Sequence, residues 1–281
     1  SPLCEGDIDL MELLAHNLVE GSGYRVIKVQ PDFVYDDAKP IIGVWADSLA
    51  TVLGIPAYTL ELWDPFAEAG AEVEHAGRFF KKPQPEVIEA IFERFTREAG
   101  LFQPWHEFSH PQLGPVELGG LDLRTTLRNP PVHKLAAECG RCMVLLENAR
   151  GALPSLRFDP KIEVEAPVWT LDLGVRNQGF LPTSGIARGG QVGAAPEVVL
   201  RIEPGPGVDL IHGVAEQSVG HLDGWGCAQV GSARHPIYPG LGEGKESGRA
   251  SWTLRGAGPV RIHWDGGRAG SGTLICGSSL D

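Results

Sequence analysis

Apolar and polar residues alternate at every position of residues 169–176, which read WTLDLGVR. Successive side chains of a β-strand point to opposite faces, so this pattern predicts a strand with one buried face. Similar short runs follow at residues 198–202, 251–254, 260–264 and 272–276, separated by turns rich in glycine and proline. Several short strands with this spacing predict an antiparallel β-sandwich.

The residues before about position 150 show helical spacing instead. Apolar side chains recur every three or four residues in 8–18, which predicts a helix with Asp7 as its cap and Gly21 as a stop signal. Further helices are predicted at residues 45–53, 85–99 and 132–149, with a turn at 54–56 and a buried strand at 57–63. Helices that alternate with a buried strand indicate an α/β class.

Charge and cysteine content bear on the binding partners and on the cellular location of the protein. The formal net charge is −12, which disfavours nucleic acid and anionic membrane surfaces, because such binding depends on Lys and Arg. No apolar run approaches the roughly 20 residues that span a bilayer. The five cysteines are scattered and odd in number, so we expect a reducing, cytoplasmic location.

Glu61 is an ionisable residue in the middle of the predicted strand 57–63. Burial of a carboxylate is costly unless the group is paired, hydrogen-bonded or held at a cleft. Alternation places Thr59 and Trp63 on the same face as Glu61. The residues alone leave two interpretations open: Glu61 projects into a pocket, or it lies on an edge strand in water or beside an arginine.

Two short motifs match patterns of metal sites. Residues 106–110 read HEFSH and match H-E-x-x-H, which binds zinc through its two histidines only when it lies on a helix. Pro104 and Pro111 disfavour a helix, so the preferred interpretation is a loop whose imidazoles bond to the backbone. Residues 139–142 form a lone C-x-x-C, which we interpret as two buried or partly buried structural thiols.

One stretch of the chain resembles a known family. The residues run from Val34-Tyr35 through Gly43-Val44-Trp45 and Gly54-Ile55 to YTLELW at 58–63. They resemble the last part of the catalytic domain of zinc carboxypeptidases of the carboxypeptidase A-like superfamily. In that family a mobile-loop tyrosine precedes a helix, a Gly-Ile turn and a T-x-E-L strand that carries the general base. The resemblance implies these roles for Tyr35 and Glu61.

The resemblance continues downstream and covers nearly the whole chain. Residues 108–120, 129–131 and 177–183 are similar to the C-terminal extension of bacterial members of the family. The implied fold class is α/β, with the C-terminal portion of a carboxypeptidase-like α/β domain at residues 1–115. A linking segment with a helix follows at 116–154, and an antiparallel β-sandwich domain at 155–281.

The zinc-binding half of that family has no counterpart in this sequence. Its members bind zinc through H-x-x-E and a later His, whereas no H-x-x-E occurs here and only His16 precedes Glu61. The resemblance therefore implies the C-terminal portion of a metallocarboxypeptidase, inactive alone, with zinc and peptide substrate bound by the intact enzyme. The start at Ser1 leads us to expect a fragment or processed chain. The alternative is a non-catalytic β-sandwich binding module with a carboxypeptidase-like remnant.

Overall fold

The computed structural model describes residues 2–34, 36, 38–39, 41–73, 76–98, 100–234 and 245–278. It contains helices and antiparallel β-sheets. The chain divides into two compact units. Unit 1 comprises residues 1–20, 43–58 and 146–281, and unit 2 comprises residues 21–42 and 59–145. The two units alternate along the sequence, whereas the boundaries expected from the sequence lie at 115 and 154.

The helices in the described part are α1 Glu5–Val19, α2 Trp45–Leu53, α3 Pro65–Glu68, α4 Ala76–Lys81, α5 Pro85–Phe95, α6 Leu123–Arg128, α7 Leu135–Ala152, α8 Ala187–Gln191 and α9 Trp225–Arg234. The strands are β1 Phe102–His110, β2 Gly114–Leu121, β3 Leu156–Glu165, β4 Val168–Asn177, β5 Val198–Pro204, β6 Asp209–His212, β7 Glu216–Gly220, β8 Ser247–Arg255, β9 Gly258–Asp265 and β10 Ser271–Ser278. Among the residues described, no helix is both long and apolar enough to cross a membrane.

Unit 1 contains two four-stranded antiparallel sheets that share one hydrophobic core. Their strand orders are β3-β4-β8-β6 and β10-β9-β5-β7. Both sheets contribute to a single cluster of buried side chains, so they form a sandwich, and the five strands predicted from alternation are confirmed. The cluster consists of Trp169, Leu171, Leu173, Val175, Val198, Leu200, Ile202, Val208, Val219, Leu222, Ala250, Trp252, Leu254, Val260, Ile262 and Cys276.

Strand β4 shows why the alternating sequence folds this way. Its apolar side chains are buried and the residues between them are more exposed. The two buried tryptophans of the core also satisfy their indole N–H groups, as buried indoles usually do. Trp169 Nε1 donates to Gly256 O at 2.9 Å, and Trp252 Nε1 donates to Val214 O at 2.8 Å. The large side chains therefore add apolar burial without leaving a donor unpaired.

Asp7 caps a different helix from the one that the sequence predicts. Helix α1 begins after Cys4, whose Sγ accepts from the backbone N–H of Asp7 at 3.4 Å. The Asp7 carboxylate is 2% exposed and accepts from the N–H groups of Ala187 at 2.8 Å and Arg188 at 3.1 Å. These are the first residues of α8, whose free N–H groups favour an acidic partner. The expected cap of α1 by Asp7 is thus wrong.

Unit 2 contains a smaller core built around α5. The helix predicted at 85–99 forms, and its side chains Val87, Ile91 and Phe95 are buried in a cluster that includes Phe66 and Phe79. Helix α5 ends at Phe95, before the predicted end at residue 99.

An ion-pair group lies at the end of α3 in the same unit. The Glu68 carboxylate accepts from Lys134 Nζ at 2.6 Å and from the Arg94 guanidinium. Burial raises the pKa of Glu68, but the hydrogen bonds from these two cations outweigh that effect and lower the pKa below its usual value.

Candidate functional site

The backbone that leads toward Glu61 is held at the end of α2. Helix α2 forms at Trp45–Leu53, as predicted, and ends in a left-handed Gly54 with φ 62°. Arg268 donates from Nη1 to Gly54 O at 2.6 Å and from Nη2 to Leu53 O. A cation at the carbonyl end of a helix is favourable both as a hydrogen-bond donor and toward the helix dipole. The predicted turn after α2 is therefore a fixed structural element of unit 1.

Close packing makes glycine necessary at this turn. A Cβ added to Gly54 would lie 2.1 Å from the backbone nitrogen of Gly189. Four residues later, the Tyr58 hydroxyl donates to Met11 O at 2.7 Å, and burial raises the pKa of this phenol. The hydrogen bond from Tyr58, together with one from the Ile186 N–H to Gly54 O at 3.1 Å, holds residues 54–58 within unit 1.

Glu61 lies outside regular secondary structure, because residues 54–64 between α2 and α3 form neither helix nor strand. The predicted buried strand at 57–63 is wrong. A strand needs a neighbour to pair its backbone groups, and no described strand pairs with this segment. Leu60 and Leu62 are 41% and 54% exposed, and the left-handed Trp63 (φ 69°) interrupts an extended chain.

The side chain of Glu61 is exposed and has no hydrogen bond or ion pair to the residues described. Glu61 is thus exposed to water, as the second interpretation has it, but it does not lie on an edge strand. Tyr35, the predicted mobile-loop tyrosine, lies outside the described residues. The structure therefore gives no geometry that joins the two predicted catalytic residues.

The H-E-x-x-H motif lies on strand β1 and not on a helix, so it lacks the geometry that this type of zinc site requires. Residues four apart on a strand are separated by about 13 Å, too far for His106 and His110 to share one zinc ion. The imidazoles contact the backbone instead. His106 Nδ1 lies 3.4 Å from Pro104 O, and His110 Nδ1 accepts from the N–H groups of residues 112 and 113, both at 3.2 Å. The predicted backbone bonding is confirmed, whereas the predicted loop is a β-hairpin.

The C-x-x-C residues lie one turn apart on α7. All five cysteines are free. Cys142 is partly buried, as expected, with Sγ 3.9 Å from the Tyr24 hydroxyl, but Cys139 is exposed rather than buried. No group of three or more His, Cys, Asp or Glu side chains suited to a metal ion is found among the residues described.

A polar relay on the outer face of the second sheet was not predicted from the sequence. His263 Nδ1 lies 3.1 Å from Thr273 Oγ1, and His263 Nε2 lies 2.7 Å from Glu203 Oε2. The hydrogen bond from His263, together with Arg261 at 3.6 Å, lowers the pKa of Glu203. A hydroxyl, an imidazole and a carboxylate in this order can move a proton. Here they lie on an open sheet face rather than in a cleft.

The outer face of the first sheet carries an open cleft of about 680 Å³. We name it the arginine cleft, because three arginines line it. Its lining contains one acidic residue. Its lining residues are Arg157, Phe158, Asp159, Gly174, Val175, Arg176, Gln178, Ser247, Gly248 and Arg249. Alternation along each strand could have placed these arginines on the outer face, but only the strand register brings them together.

Comparisons with known proteins match part of the chain and carry no functional assignment. A family model described as "Domain of unknown function (DUF8731)" matches residues 161–274, which is less than half of the chain. No curated protein matches the sequence. Among solved structures, DesR, a beta-glucosidase from Streptomyces venezuelae in complex with D-glucose, is similar at 13% identity and a TM-score of 0.19. That match covers 44% of this chain and 15% of the glucosidase, too slight a likeness to inform function.

Proposed function

We propose that the chain is the C-terminal portion of a zinc metallocarboxypeptidase that hydrolyses C-terminal peptide bonds, with Glu61 as its general base and acid. The observation that carries the proposal is the order of α2, the left-handed Gly54 turn and an exposed, unengaged Glu61. The order of helix, Gly-Ile turn and glutamate is the one in the sequence resemblance, although the segment that carries Glu61 is not a strand here. A carboxylate that takes a proton from water and returns it to a leaving amine must be open to both.

The described residues do not form a zinc site by themselves. Among the described residues, no three potential ligands converge. In the proposed enzyme, zinc and its ligands belong to a part of the parent protein that this chain does not contain. The contribution of this chain is the Glu61 carboxylate, and the isolated chain is expected to be inactive toward peptides.

An exposed apolar face on α2 supports the proposal. Trp45 and Val52 are 77% and 61% exposed and lie seven residues apart, on the same side of the helix. Large apolar side chains that share a helix face usually pack against another element. The missing catalytic half of a carboxypeptidase would supply such an element.

The experiment compares variants of the parent protein, including its upstream region. Glu61→Gln keeps the size of the side chain but cannot accept a proton, so kcat for an N-blocked dipeptide should fall by about 10² to 10⁴, with KM little changed. Glu117→Gln is the matched control, because Glu117 is an exposed glutamate on β2. Full peptidase activity in Glu61→Gln would show that the assignment is wrong.

The isolated 281-residue chain provides a second test. We expect neither bound zinc by elemental mass spectrometry nor dipeptide hydrolysis in the presence of added zinc. One zinc per chain together with hydrolysis would overturn the proposal that the zinc ligands lie elsewhere.

A second candidate is a non-catalytic β-sandwich binding module with a carboxypeptidase-like remnant. It is favoured by the sandwich itself, whose two sheets close a core without help from unit 2. A parent protein with no peptidase activity, in which the sandwich still binds a ligand, would decide for this candidate.

A further inference from the structure

We propose that the arginine cleft binds the phosphate group of a small polar molecule. The site lies within the sandwich and goes beyond the proposed peptidase function. It does not depend on Glu61 or zinc, so either proposal can fail without the other.

The charges in the cleft are unbalanced. Arg157 and Arg176 are directly opposite each other on β3 and β4, and like charges in such a pair destabilise a sheet. Arg249 adds a third positive charge, and Asp159 is the one acidic residue that lines the cleft. No hydrogen bond or ion pair to the described part of the chain involves any of the three guanidinium groups. In a chain of net charge −12, this is a local surplus of positive charge.

Strand register brings the three guanidinium groups within reach of one anion. Side chains that are directly opposite have Cβ atoms about 5 Å apart, and diagonal neighbours are about 7 Å apart. Arg176 faces Arg157 on one side, and on the other side it is diagonal to Arg249, which pairs with Gly174. Guanidinium groups bind phosphate oxygens through paired N–H donors. Three arginines against one aspartate leave a surplus of two positive charges, which matches a phosphate monoester dianion.

Gly174 forms the floor of the cleft. On β4, Gly174 is paired with Asp159 of β3 on one side and with Arg249 of β8 on the other. Any other residue at this position would project a side chain into the cleft. A Cβ at this position would meet only Asp159, at 3.5 Å from its backbone oxygen and 3.6 Å from its Cβ, which is ordinary contact. Nothing in the fold therefore requires glycine at this position, and its effect is to leave the cleft open.

The lining also indicates what carries the phosphate. Gln178 and Ser247 offer an amide and a hydroxyl for hydrogen bonds. The one aromatic residue in the lining, Phe158, packs with its ring 5.1 Å from that of Trp264 against the sandwich core. The cleft thus favours a polar carrier of the glycerol phosphate type over an aromatic one.

The experiment is isothermal titration calorimetry of the 281-residue chain at low salt. The probes are inorganic phosphate, glycerol 3-phosphate and glycerol. We expect saturable binding of both phosphates, tighter binding of glycerol 3-phosphate, and no binding of glycerol. Tighter binding of inorganic phosphate would instead identify free phosphate as the ligand and overturn the assignment of a carrier.

Three variants separate charge, shape and general electrostatics. Arg176→Gln should weaken phosphate binding at least about tenfold, because it removes a charge-assisted hydrogen bond. Arg255→Gln is the matched control, since Arg255 lies on the same face of β8, six residues or about 20 Å from Arg249. Gly174→Val should also weaken binding at least tenfold without lowering thermal stability, because valine suits a strand and fills the floor.

The outcomes that overturn the proposal are specific. They are no binding of either phosphate at millimolar concentration, equal weakening by Arg176→Gln and Arg255→Gln, or unchanged binding in Gly174→Val with its stability intact. The second outcome would mean attraction to surface charge only.

Discussion

Replacement of Asp7 by alanine removes the carboxylate that holds the start of α8. In the native protein this residue is 2% exposed, and its carboxylate accepts hydrogen bonds from the backbone N–H groups of Ala187 and Arg188. Alanine leaves both donors without a partner, and the protein loses a helix cap from a residue far away in sequence. We therefore expect Asp7→Ala to destabilise unit 1 more than a surface substitution would.

The magnitude follows from the two hydrogen bonds. A net contribution of about 1.5 to 3 kcal/mol is typical of a hydrogen bond to a charged group, and loss of a helix cap costs about 0.5 to 2 kcal/mol. These effects overlap, so the expected loss in the free energy of unfolding is about 2 to 4 kcal/mol. Asp7→Asn keeps one carbonyl oxygen as an acceptor but loses the charge, and it should cost about half as much.

Urea denaturation followed by tryptophan fluorescence is a suitable assay. Trp169 and Trp252 are buried in the core of unit 1, and Trp225 packs edge-on against Phe180, with ring centroids 4.8 Å apart. Asp209→Ala is the control, because this aspartate is exposed on β6. A loss in Asp7→Ala of less than about 0.5 kcal/mol, or no larger than in the control, would refute the reasoning.

Three further predictions concern single residues. Gly54→Ala should destabilise unit 1 by about 2 kcal/mol or more in the same urea titration, because φ is positive and the new Cβ would meet the backbone of Gly189. In the native protein at pH 8, Cys227 should react with a thiol reagent far more slowly than the exposed Cys4, because burial raises its pKa to about 11; equal rates would contradict this. Glu68 stabilises unit 2 through its lowered pKa, so this contribution should be complete above the ordinary Glu pKa and lost as pH falls through the folded value. Urea titrations from about pH 6 to 3 should show a smaller acid-dependent loss in Glu68→Gln.

Local sequence patterns predicted the sandwich strands because burial of one face imposes a period of two on each strand. The alternation at 169–176 gave the location of β4, and helix periodicity gave the locations of α2 and α7 within a few residues. The β1–β2 hairpin was missed, because prolines interrupt it and none of its strand residues is buried. A hairpin without a buried face leaves no alternating pattern in the sequence.

The parts that local patterns missed depend on partners distant in sequence. Residues 57–63 have the composition of a strand, but strand hydrogen bonds require a neighbouring strand, which is absent from the described part of the chain. Asp7 does not cap α1 as predicted, because the helix end that it caps lies 180 residues further on. The arginine cleft is formed by three strands, so no single stretch of sequence could have shown that its charges converge.

The discontinuous make-up of unit 1 has a consequence for how the chain folds during its synthesis. Helix α1 packs against α9, and Asp7 is hydrogen-bonded to α8. The N-terminal helix of the unit therefore cannot reach its native packing until these later helices have been synthesised. At a ribosomal rate of about 5 to 20 residues per second, Asp7 waits roughly 10 to 40 seconds for Ala187 to be made. During this interval the apolar side of α1, including Leu10 and Leu14, has no native partner from α8 or α9. An apolar helix face that stays uncovered for this long makes the nascent chain prone to aggregation.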